Sequence, residues 1–130
     1  MFGTHRSAAK AYASVGLETG VIAANPHQLI TMLFDGAVAA VLKAKQHMQF
    51  NEIADKGTAI SKAIMIIDSG LRAGLNLQQG GEIAENLDAL YSFMIQRLMQ
   101  ANLQNDASVL DEVLSLMSDL RSAWVSIGHL

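Results

Sequence analysis

Between residues 80 and 102 the chain reads "GGEIAENLDALYSFMIQRLMQAN". At 100° per residue, its apolar positions cover roughly half of a helix's circumference. Ile83, Leu87, Leu90, Met94, Leu98 and Ala101 form the seam expected to face a core. Tyr91, Ile95 and Met99 make a second stripe, centred roughly 100° away. A surface helix needs only one such stripe.

The same surplus appears earlier. Asn25, Pro26 and Gln28 predict a helix start, with a capping side chain, a proline suited to the first turn and an N-x-x-Q capping box. Over residues 26–49, Leu29, Leu33, Ala40 and Ala44 form one stripe, and Ile30, Ala37, Val41 and Met48 a second; Phe34 lies further round. Residues 51–76 carry a narrower seam of Ile53, Ile60, Ile64, Ile67, Leu71 and Leu75. "NLQQGG" and "QNDAS" interrupt the pattern, and residues 109–127 place Val113, Met117, Leu120 and Trp124 on one face. Four helical segments with short joints predict an all-α fold, an antiparallel up-down four-helix bundle over residues 25–130. Residues 1–24 lack sustained periodicity and are expected to be a mobile cap, with Tyr12, Val15 and Leu17 as candidate plugs for apolar surface.

Composition narrows the function. A length of 130 residues suits one domain with a real core. The net charge of −3 and the scattered Lys and Arg argue against a nucleic-acid binder. Without cysteine there is no disulfide and no thiolate metal site. The N-terminus has no continuous apolar core of a signal peptide, and no stretch reads as a membrane span, so a cytoplasmic chain is expected.

A di-iron bundle would need Glu-x-x-His, and the residues three before His5, His27, His47 and His129 are Phe2, Ala24, Ala44 and Ser126. The seven Met read as core filler rather than haem ligands. No P-loop, G-x-S-x-G or dinucleotide fingerprint appears. The acids at helix starts complement helix dipoles. We therefore expect no enzyme, no cofactor and no metal. The second stripes can pack on neighbouring helices, or they can line a groove for an amphipathic partner helix. A homo-oligomeric structural bundle is the alternative to an adaptor with such a groove.

"ANPHQLITMLFDGA", "GGEIAENLDALYSFMIQRLMQANLQND" and "LRSAW" resemble, in order and spacing, the flagellar secretion chaperone family (FliS). The resemblance runs from about Tyr12 to Ile127. Asn25 stands where the family often has Ser, Phe34 where Tyr is common, and Gln96 where a basic residue is frequent. The resemblance implies a cytoplasmic bundle that binds the C-terminal segment of flagellin in apolar grooves; a monomer or weak dimer is expected. It also implies protection from premature polymerisation and delivery to the type III export gate. Tyr12 matches the family's N-terminal Tyr, implicated in covering the groove and in gate docking; Ala9 replaces a bulkier aliphatic three residues earlier. The residues expected to bind partners are Tyr12, Ile30, Phe34, Val41, Tyr91, Ile95 and Met99. Membrane insertion and nucleic acid have no part in this expectation.

Overall fold

Asn25 opens the first described helix as its side chain dictates. The structure, a computed structural model, describes residues 25–127. Asn25 Oδ1 accepts the Gln28 N–H at 2.8 Å, and Gln28 Oε1 accepts the Asn25 N–H at 3.3 Å. This is the expected capping box, with Pro26 at the first helical position, and it starts α1 (Pro26–Gln49). α2 (Ile53–Met65) continues without a break as a π-helical stretch, Ile66–Arg72. α3 (Leu77–Gln104) and α4 (Ala107–Ile127) complete a four-helix, all-α bundle. Asp106 precedes α4, and hydrogen bonds from the Ser108 hydroxyl and amide hold its carboxyl below the usual carboxylate range.

The helices pack around a square, α1 against α2 and α4, and α3 against α2 and α4. Polar links match the antiparallel sense, because each joins the later half of one helix to the first half of a neighbour. Arg72 meets Asp88 at 2.7 Å, Arg97 meets Glu112 at 2.6 Å, and Lys45 meets Asp111 at 2.7 Å. Arg121 meets Asp35 at 2.5 Å. Exposed pairs of this kind add little stability, typically about 0–1 kcal/mol, so their use here is register.

Lys56 is a stronger tie. Only 4% of it is exposed, and its Nζ donates to the Asn102 carbonyl at 3.0 Å and to Asn105 Oδ1 at 3.1 Å. Asn105 is the left-handed C-cap of α3, so the ammonium sits at the negative end of that helix's dipole. A buried cation is tolerated when it is satisfied in this way.

The core takes both stripes of α1: Leu29, Ile30, Leu33, Phe34, Ala37, Ala40, Val41, Ala44 and Met48 are all buried. On α3 the buried residues are Ala84, Tyr91, Met94, Leu98 and Ala101, with Leu87, Leu90 and Ile95 packed at the margin. At Gly70 a Cβ would lie 2.9 Å from Leu33 Cδ2, so the π-helical stretch approaches α1 at a distance that favours glycine.

Candidate functional site: an apolar pocket at one end of the bundle

Gly81 interrupts α3 with φ 55° and ψ −135°, a conformation that side chains other than glycine's rarely adopt. Ahead of this kink, Asn76 Oδ1 accepts the Gln79 N–H at 3.0 Å and caps one extra turn, from Leu77. Gly74, Gly80 and Ala84 are small residues in the wall beside the bend, and a Cβ at Gly80 would lie 2.6 Å from Ala84 Cβ. They border a pocket of about 360 Å³, within the range of ligand sites.

Every side of the bundle contributes to it. Ile30 comes from α1, Leu71 from the π-helical stretch, and Gly74, Leu75 and Asn76 from the joint that follows. Gln79, Gly80, Ile83, Ala84, Leu87 and Tyr91 come from α3, and Trp124 from α4. Among the described residues, none of this lining is charged. Trp124 is held in place by α1: its Nε1–H donates to the His27 carbonyl at 3.0 Å, and its indole stacks on the His27 ring at 4.7 Å between centroids and 11° between planes. Tyr91 is 4% exposed, and burial pushes its phenol up to about 12. Ile83, at 74% exposure, stands at the mouth as an apolar side chain already in contact with water.

Nothing in this arrangement is a nucleophile–base pair or an oxyanion cradle. It is a largely apolar receptacle, with Ile83 and the polar Gln79 exposed at its edge. Away from it, His47, Glu52 and Asp55 bring donor atoms within 4.8 Å of one another at the α1–α2 turn. There the His47 ring and the Glu52 carboxylate, 3.0 Å apart, close the turn. No helix among the described residues is long and apolar enough to cross a membrane.

The family model for the flagellar protein FliS matches residues 8–130. The chain belongs to the FliS family. It is 53% identical over 122 residues to the flagellar secretion chaperone FliS of Salmonella typhimurium, covering 94% of this chain and 90% of that one. The Escherichia coli protein of the same name is 48% identical over 115 residues, covering 88% of this chain and 85% of its own. FliSB of Pseudomonas aeruginosa, also a flagellar secretion chaperone, is 46% identical over 122 residues, covering 94% and 96%. FliS is a family of chaperones, not of enzymes.

In this FliS-family chain the residues expected to bind partners fall into separate places. Ile30 and Tyr91 meet in the pocket wall. Phe34 and Val41 lie inside the core, between α1 and its neighbours. Ile95 is half-buried against the core, and Met99 is 58% exposed farther along α3. Tyr12, with the rest of residues 1–24, lies outside the described residues. Leu71, Leu75, Ile83, Leu87 and Trp124 line the pocket without having been singled out as binding residues. The available signal was the Gly80-Gly81 pair followed by Ala84, which gives small side chains at the start of an otherwise bulky helix.

Proposed function

We propose that this chain binds the C-terminal segment of flagellin in the cytoplasm, with apolar side chains of an amphipathic client helix seated in the pocket. Acting as a monomer or weak dimer, it would keep the segment from polymerising before export and deliver it to the type III export gate. The observation that carries this reading is the apolar pocket at the Gly81 kink, open beside Ile83 and free of charged lining residues. Membership of a family of flagellar secretion chaperones supports the client class.

The energetics suit such a client. Ordering a disordered segment costs about 2–5 kcal/mol or more of the gross interaction energy. Each Leu- or Phe-sized side chain moved from water into an apolar site returns about 1.5–3 kcal/mol. Two or three anchors therefore offset the ordering, and no catalytic group is needed. In this reading Ile30 and Tyr91 touch the client directly, Met99 extends the contact along α3, and Phe34 and Val41 act by holding the fold. Residues 1–24, Tyr12 among them, would occupy the pocket until the client arrives and then meet the export gate.

Isothermal titration tests the reading. A peptide of about the last 50 residues of the cognate flagellin, enough to run along helices of roughly 30 Å, is expected to bind with one-to-one stoichiometry. A peptide of equal length from the flagellin N-terminus should give no heat beyond dilution. Equal binding of both peptides, or of neither, would overturn the assignment.

A further inference from the structure

Tyr91 is the one pocket residue whose chemistry an apolar receptacle does not explain. Tyr91 is buried, yet its hydroxyl has no hydrogen-bond partner among the described residues. The oxygen is not sealed from water, since no buried side-chain oxygen or nitrogen among these residues lacks a partner. Tyr91 lines the pocket, which lies within reach of that oxygen. A phenylalanine would fill the same wall without the polar atom.

The other polar groups at the pocket are engaged. Asn76 accepts from the Gln79 N–H and donates to Gln79 Oε1, and the Trp124 N–H is given to the His27 carbonyl. Burial raises the Tyr91 phenol to about 12, so it stays protonated and able to donate at physiological pH.

We propose that the Tyr91 hydroxyl is the polar anchor of the pocket, donating a hydrogen bond to an uncharged amide carbonyl oxygen of the bound client segment. This rests on the reading of the pocket as the flagellin site. An amide is favoured over the other acceptors by the surroundings. A carboxylate would leave water for a lining with no charged group to meet it, at a cost that one hydroxyl does not recover. A wholly apolar anchor would seal the hydroxyl away unpaired, and that penalty corresponds to roughly fivefold to a hundredfold in affinity. The hydrogen bond therefore sets register: among the apolar stretches of a client, it favours one that presents an amide oxygen at the depth of Tyr91. That oxygen can come from an Asn or Gln side chain or from an unpaired main-chain carbonyl at the end of a client helix.

The test is titration of the C-terminal flagellin peptide, about 50 residues long, into the full chain and its Tyr91→Phe and Leu87→Asp variants. Tyr91→Phe should weaken binding by about tenfold, with a melting temperature unchanged or slightly higher, because only an unpaired oxygen is removed. Repeating the comparison with each Asn and Gln of the peptide changed to Leu locates the acceptor. If one such change cancels the Tyr91→Phe difference, the acceptor is that side chain; if none does, it is the main chain. Wild-type affinity for Tyr91→Phe, with binding lost in a folded Leu87→Asp, refutes the hydrogen bond and leaves the pocket reading standing. Wild-type affinity in both variants removes the pocket reading and this inference with it.

Discussion

Leu98→Ala is expected to lower the unfolding free energy by about 2–5 kcal/mol, while Met99→Ala, one residue on, changes it by no more than about 0.5 kcal/mol. Leu98 is fully buried in the centre of the bundle, and Met99 is mostly in water. Truncating the first removes packed methyl groups and leaves a cavity between α3 and its neighbours. Truncating the second removes surface that unfolding would expose anyway. Urea denaturation of the two variants, read by circular dichroism, makes the comparison at constant protein concentration. Equal losses would mean that α3 is rotated about its axis, and with it the placement of Tyr91 and Leu87 in the pocket wall.

That rotation was only partly legible in the sequence. The start of α1 could be read directly, because capping by Asn25, Pro26 and Gln28 is local chemistry that needs no neighbour. The start of α3 could not. The pattern points to residue 80, but Asn76 caps a turn that begins at Leu77, and the glycine pair bends the helix instead of starting it. On α2, Ile60, Ile67 and Leu71 are buried as the seam predicts, while Ile53 is exposed and Ile64 half-buried. Lys56, Ala63 and Gly70 are buried in their place, and hydrophobicity does not mark them. Both misses, Ile53 and Ile64, precede the π-helical stretch from Ile66, and the seam residues within it, Ile67 and Leu71, are buried.

The surplus apolar stripes illustrate a different limit. On α1 both stripes are covered by the fold, because that helix packs against two neighbours. On α3 the seam and the second stripe divide unexpectedly: Tyr91 is buried, and Ile83, expected to face the core, stands at the pocket mouth. A single-helix projection assumes one straight axis. The kink at Gly81 breaks that assumption where the pocket forms. Trp124 and Leu75 reach the pocket only through topology, which no helical wheel displays.

Leu87→Asp is the second large effect, on binding rather than on folding. Leu87 is half-buried, lines the pocket and packs against the margin of the core. In the free protein an aspartate there can reach water once residues 1–24 leave the pocket, and displacing them removes no helix of the bundle, so the bundle is expected to stay helical. When a client seals the pocket, the carboxylate loses that water and finds no cation in the lining. The penalty is several kcal/mol, and client affinity should fall by about a hundredfold or more. Met99→Asp, at an exposed position outside the pocket, should weaken binding far less. Titration calorimetry with the C-terminal flagellin peptide reads both, and circular dichroism confirms that each variant is folded.

The most direct measurement of whether the pocket receives the client is methyl NMR of the free chain during titration with that peptide. Ile30, Leu71, Leu75, Ile83 and Leu87 place methyl probes around the pocket. Ile53 and Leu103, both exposed, place probes where α2 begins and α3 ends, the region joined by Lys56. Large, saturating shifts of the pocket methyls are expected at one equivalent of peptide, with those of Ile53 and Leu103 moving less. Shifts confined to Ile53 and Leu103, with the pocket methyls unmoved at saturation, would contradict the placing of the client in the pocket.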